Sequence, residues 1–200
     1  MNMSLHDVEK LQDLYPENRI ELREGNIIIK PPSDAVSGEI GARFSTLLAT
    51  WVYSHEWGRV LDASTGISMP NGDLLSPNIS FVSREQLREN LRIYLSVVPQ
   101  LIVEIKSSRD RVRGIEEKIT LFLSQGVQVG ILIDPDKHTV RIYRAGGLSK
   151  DADTGESIPQ ATTLRDGDTL TLPELFPGWE LPITSLWPPI YKRVSESKES

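Results

Sequence analysis

Hydrophobic and polar positions alternate along this chain in blocks whose period changes from helical to extended and back. From Ser4 to about Tyr15 the apolar residues recur at helical spacing, and Pro16 lies just past the end, which predicts a short amphipathic helix. From Arg19 to Lys30 the period drops to two. Ile20 and Leu22 alternate with polar residues, Gly25-Asn26 reads as a turn, and Ile27-Ile28-Ile29 returns, so the segment predicts a hairpin. Pro31-Pro32 breaks the strand, and Ser33 or Asp34 can cap a long helix running to about His55. Ile40, Phe44, Leu47, Leu48, Trp51 and Val52 form its expected buried face.

A β-rich stretch follows, with short strands expected at Arg59–Leu61, Thr65–Met69 and Ile79–Val82, a turn at Asn71-Gly72, and a polar helix from Arg84 to about Leu91. The clearest unit runs from Leu101 to Asp134. LIVEIKS reads as a strand, RVRGIEEKITLFLSQG as a helix closed by Gly126, and VGILID as a second strand. Strand, helix and strand at these lengths make a right-handed βαβ crossover with parallel strands. Asp134-Pro135-Asp136 reads as a turn, and Thr139–Tyr143 as an antiparallel return. Ala145 to Gln160, rich in Gly, Ser and Asp, reads as a flexible loop. Trp179 and Trp187 are expected to pack on the core, and Lys192 to Ser200 to lack fixed structure. The expectation is one α/β domain over residues 1–200, with its core at about 34–144, a helix-hairpin before it and a β-rich extension after it.

Composition narrows the chemistry. The 200 residues contain no cysteine, which removes disulfides, thiolate metal sites and cysteine nucleophiles. His6, His55 and His138 stand too far apart for a zinc motif, so any metal would be a hard ion on oxygen ligands, magnesium or manganese. No apolar run approaches the roughly 18 residues that span a bilayer. The first residues also lack the apolar stretch of a signal peptide, so a cytoplasmic protein without a membrane partner is expected. The net charge is −6, yet between Arg84 and Arg113 seven basic residues face four acids. A basic strip of this kind can meet phosphate, with Arg109, Arg111 and Arg113 as candidates, or can be a solvated face.

The candidate chemistry sits on LIVEIKS. In an extended strand Ile102, Glu104 and Lys106 share one face, and a strand this apolar belongs inside a sheet. Most isolated E-x-K triplets are exposed ion pairs, but here the two charges end a strand of a parallel unit, where ligands of such sheets gather. Twenty-six positions earlier, Ser76-Pro77-Asn78 places a polar residue directly before another strand.

These residues resemble the PD-(D/E)XK nucleases, which carry a proline-acid pair at the start of one strand and E-x-K on the next. More narrowly, TGISMPNG, SPNISFV, VEIKSSRD, EEKITLFLSQGV and GILIDPDKHTVRIYR, in that order, resemble the Uma-two family of restriction-endonuclease-like proteins, over roughly Asp34 to Arg144. The resemblance implies a mixed β-sheet flanked by helices and magnesium-dependent hydrolysis of DNA, with RNA left open and a homodimer suited to duplex DNA. It makes Glu104 a metal ligand, Lys106 the base-orienting or charge-stabilising group, and position 78 the second ligand.

Here the chain departs from the pattern, because Asn78 stands where the family usually has Asp. An amide still offers a carbonyl oxygen, but losing one charge beside a dication costs on the order of several kcal/mol. A degenerate fold that binds nucleic acid or protein without cutting is therefore the alternative. Asp73 and Glu39 are two acids that could compensate as further metal ligands, against bland roles as a turn residue and a helix-dipole partner. Lys118, on the crossover helix where such relatives carry a lysine, either faces the cleft or pairs with a surface acid such as Glu117.

Overall fold

The computed structural model describes residues 3–87, 94–150 and 157–189. The first helix, α1 (Leu5–Leu14), is capped by Ser4, whose backbone N–H and hydroxyl both donate to Asp7 Oδ2 at 2.9 and 2.7 Å. A hairpin follows, β1 (Arg19–Arg23) and β2 (Asn26–Lys30), in the expected register. Its turn lies one residue earlier than the sequence suggested. Glu24 and Gly25 carry positive φ angles of 50° and 74°, the left-handed pair that a two-residue hairpin needs, and Asn26 is already in the strand.

Helix α2 (Ala35–Ser54) is capped by Asp34, whose carboxylate accepts from Ser37 N at 2.9 Å. Ser37, Ile40, Phe44, Leu48 and Val52 form its buried stripe; Leu47 falls off that stripe and is exposed. Next come β3 (Gly58–Asp62), β4 (Ile67–Ser68), β5 (Leu74–Leu75) and β6 (Ile79–Ser83). The expected polar helix after β6 is a turn through Arg84–Leu87, and the rest of that expectation lies outside the described residues.

The crossover is built as the sequence implied. β7 (Leu101–Ile105) leads into α3 (Val112–Ser124), and β8 (Val129–Asp134) returns parallel to β7. Helix and sheet approach closely at Gly130, where a Cβ would come 2.5 Å from Ile119. The Gly- and Ser-rich stretch expected to be a loop is instead strand over most of its length. β9 (Thr139–Lys150) continues past Tyr143, and β10 (Ser157–Leu164) pairs with it antiparallel. Pairing along a neighbouring strand outweighs weak local propensity there. Two short strands, β11 (Thr169–Thr171) and β12 (Glu180–Pro182), and a 3-10 turn at Ile183–Leu186 finish the described chain. The stretch from Lys192 to Ser200 lies outside the described residues.

The main sheet runs β10-β9-β8-β7-β6-β3, and a smaller sheet runs β2-β1-β5-β4. One face of the main sheet packs on α2 and the C-terminal elements through Val103, Ile105, Ile131, Phe44 and Phe176. The other packs on α3 through Ile102, Leu132, Ile119 and Phe122. A third cluster joins α1 to the hairpin through Val8, Ile20 and Leu22. Tyr143 and Arg141 on β9 both donate to Glu116 Oε1 of α3 at 2.8 Å, which fixes the helix against the sheet. Among the described residues no helix is long and apolar enough to cross a membrane.

Candidate active site

The functional cleft lies where the hairpin, the start of β6, the end of β7 and α3 meet. It encloses about 540 Å³. Period two sorts the hairpin into two faces. Ile20 and Leu22 turn to α1, while Arg19, Glu21, Arg23, Ile28 and Lys30 form one wall of the cleft. On β7 the same alternation sends Val103 and Ile105 to the α2 side and Ile102 and Glu104 to the α3 side. Because Ile79 pairs with Val103 in antiparallel register, Asn78 falls opposite Glu104, and both line the cleft.

At the floor is a buried ion cluster. Lys118 Nζ lies 2.7 Å from Glu21 Oε1, 2.8 Å from Glu104 Oε1 and 2.9 Å from the Ser76 carbonyl, to which it donates. Ser76 N also donates to Glu21 Oε1 at 3.1 Å, and Lys30 Nζ lies 3.6 Å from the same oxygen. Glu21, Glu104 and Lys118 are all at most 4% exposed. Burial works to raise the Glu21 pKa, but the ammoniums of Lys118 and Lys30 outweigh it and hold the carboxyl below its ordinary range. For Lys118 burial works downward, yet Glu104 and Glu21 push its pKa well above the usual value. Lys30 shifts the other way, because burial and then Lys118 lower it more than Glu104 and Glu21 raise it.

Glu104 Oε1 is buried, and the Lys118 ammonium at 2.8 Å is its partner among the described residues. Asn78 Oδ1 accepts from Ile105 N at 2.9 Å, which keeps the amide at the cleft and leaves its oxygen one lone pair. The Glu104 carboxylate and the Asn78 amide line the same cleft, and oxygen donors of this kind suit a hard cation.

The remaining candidates sort clearly. Glu104, Asn78 and Lys118 come together as expected of one site. Lys106 does not join them. The strand ends at Ile105, and the Lys106 ammonium reaches Asp136 Oδ2 on the β8–β9 turn at 2.6 Å, a hydrogen bond that raises its pKa. Among the described residues it is Lys118 that supplies the ammonium at Glu104. Asp73 is held away from the cleft, its carboxylate accepting from Glu24 N at 2.7 Å and from Asn71 Nδ2 at 2.8 Å. Glu39 is exposed on α2 and paired with Arg43 at 2.8 Å. Neither acid stands with Asn78 and Glu104 at the cleft, and no three His, Cys, Asp or Glu side chains converge among the described residues. Arg109 and Arg111 line the cleft, whereas Arg113 points outward to Glu117 at 3.1 Å. From the same basic strip, Arg84 pairs with Glu56, and Arg88 and Arg92 lie outside the described residues.

Glu21 and Lys30 escaped the sequence reading. The signal for both was present, since a hairpin whose one face is Ile20 and Leu22 must send Arg19, Glu21 and Arg23 to the other. What was missing was any sign that this second face would be covered. Lys118 also carried a signal: it falls within the stripe Ile115, Ile119, Phe122 of α3, where a lysine needs a buried partner.

A six-stranded mixed sheet with a parallel βαβ unit at its centre, flanked by helices and carrying an acid, an amide and a lysine at one cleft, is the fold of a restriction-endonuclease-like protein. The chain belongs to the Uma2 family, described as "Putative restriction endonuclease", which it matches over residues 6–184. A crystal structure described as "a putative nuclease belonging to DUF820 from Anabaena variabilis" superposes with a TM-score of 0.71 at 21% identity, covering 92% of this chain and 97% of that one. A DrdV–DNA complex overlaps 61% of this chain and 10% of its own at 16% identity, and its TM-score of 0.34 is too low to carry an argument. No curated protein matches the chain.

Proposed function

We propose that the chain is a nuclease that hydrolyses phosphodiester bonds of DNA with a divalent ion, Mg²⁺ or Mn²⁺, held by Glu104 and Asn78. The observation that carries this reading is the placing of Glu104 opposite Asn78, an acid and an amide oxygen donor that line one cleft. Bound there, the ion would supply acidified water and charge neutralisation at the phosphate. Lys118, held by Glu21, Ser76 and Glu104, supplies positive charge beside the place where negative charge develops. Glu21 positions Lys118 and keeps it charged. Arg109 and Arg111, exposed at the rim, meet the flanking phosphates. A homodimer would bring two clefts to the two strands of a duplex.

A second reading, binding without cleavage, is favoured by a specific balance. Glu21 and Glu104 are offset by Lys118 and Lys30, and Asn78 adds no charge, so the cluster is electroneutral before any dication arrives. Supercoiled plasmid incubated with Mg²⁺ or Mn²⁺ separates the two. The nuclease reading expects nicking by the wild type, its loss in Glu104→Ala, and an increase in Asn78→Asp together with tighter ion uptake by calorimetry. An inert wild type alongside a cutting Asn78→Asp variant establishes the second reading. Cleavage that survives Glu104→Ala removes Glu104 from the site.

A further inference from the structure

The floor of the cleft carries more positive charge than one lysine of a hydrolytic centre requires. Lys30 and Lys118 come from different elements, the end of β2 and the middle of α3, yet both ammoniums lie against one oxygen, Glu21 Oε1, at 3.6 and 2.7 Å. Their surroundings differ. The Lys118 side chain is 5% exposed and has two carboxylates and a carbonyl around it. The Lys30 side chain is 31% exposed, lines the cleft, and has the single long contact with Glu21 among the described residues. Six cationic and four anionic side chains line the cleft, a surplus of two positive charges in a chain whose net charge is −6. The three donors of Lys118 are taken up by Glu21, Glu104 and the Ser76 carbonyl, whereas Lys30, with its one contact at 3.6 Å among the described residues, keeps donors for an anion that enters the cleft. A partly enclosed concave site focuses that field.

We infer that Lys30 is a phosphate-binding residue, and that it holds a phosphate group in this cleft in the absence of any divalent ion. The inference rests on the proposal that the cleft takes a phosphodiester, but it does not require the chain to cut one. Phosphate of a nucleic-acid backbone and free inorganic phosphate share the chemistry, and they are told apart by testing both.

The test is calorimetric titration of the full chain, in excess EDTA, with inorganic phosphate and separately with a short DNA duplex. The wild type is expected to bind the duplex, and Lys30→Met to weaken that binding about tenfold or more, as losing one charge-assisted contact should. Arg84→Met, which removes an equal charge far from the cleft at the Glu56 pair, should change affinity less than about twofold. Lys30→Arg should restore most of the binding, which separates a lost contact from a misfolded variant. A phosphate response parallel to the duplex response identifies free phosphate as a sufficient ligand, and a duplex response alone identifies the nucleic-acid backbone. Equal losses in Lys30→Met and Arg84→Met, or a wild type that binds neither ligand without metal, overturn the inference. Absence of plasmid cleavage with Mg²⁺ or Mn²⁺ would count against the nuclease reading only, since metal-free binding is read independently.

Discussion

Two lysine–carboxylate pairs stand at the carboxyl end of the central strands, and they show how little distance alone says. Lys106 and Asp136 meet at 2.6 Å on the rim, and Lys118 meets Glu21 and Glu104 at 2.7 and 2.8 Å on the floor. At the rim the carboxylate side is 68% exposed, so water and salt can replace either partner. On the floor every member is nearly sealed, and the same attraction acts where solvent cannot substitute for it. A buried cluster does not on that account stabilise the fold more than a hydrophobic replacement would, but breaking it leaves an uncompensated charge. The motif pointed to the lysine that lies at the rim, and the lysine buried against Glu104 is the one on the floor.

The largest effect expected from this contrast is that of Lys118→Met. Removing the ammonium leaves Glu104 without its counter-charge and Glu21 with only the longer Lys30 contact among the described residues, which should cost about 3–5 kcal/mol in urea unfolding. Adding Glu21→Gln to Lys118→Met should recover part of that loss, because one of the orphaned charges goes with it. A double variant no more stable than the single one would show that the cluster is better solvated than its burial implies.

A smaller effect is expected at Asp34, which joins the cap of α2 to the far rim of the cleft. Its carboxylate accepts from Ser37 N at 2.9 Å and Ser108 N at 2.8 Å, and these bonds, Ser37 first, lower its pKa to about 2. Asp34→Ala should cost about 1 kcal/mol as a lost cap. The folded carboxyl titrates below its ordinary value of 3.8, so its contribution is present above that pH and is lost as pH falls from 3.8 toward 2. Stability of Asp34→Ala should therefore fall less steeply than wild type across that window, and parallel acid curves would break the argument.

The least is expected from Asp136→Asn. It removes the partner of Lys106 at the rim and should change stability by no more than about 1 kcal/mol, with the change shrinking further in high salt. A loss comparable to that of Lys118→Met would erase the distinction between the two regions and return Lys106 to the centre of the site.

Much of the fold was legible because the local signals agreed with one another. The α2 stripe at Ile40, Phe44 and Leu48, the apolar β7 and β8, and the capping Asp34 all meant in the sequence what they mean in the structure. The sequence failed where a neighbour decided. Ala145–Gln160 has loop composition, yet β9 and β10 pair through much of it because each offers the other a continuous row of backbone partners. Lys106 has the right spacing from Glu104, but its long side chain finds Asp136 once β7 ends.

By itself the sequence determined the parallel crossover, the place of Glu104 on the face of β7 opposite Val103 and Ile105, and the substitution at position 78, because alternation and helical period are properties of the chain's own geometry. Only the tertiary structure decided which lysine serves Glu104, and that the polar face of an N-terminal hairpin closes over the cleft with Glu21 and Lys30. Those contacts join residues up to 97 positions apart, as Glu21 and Lys118 are. No local periodicity records such a pairing; it exists because packing the three hydrophobic clusters brings β1, β7 and α3 together and leaves their charged side chains only one another to answer to.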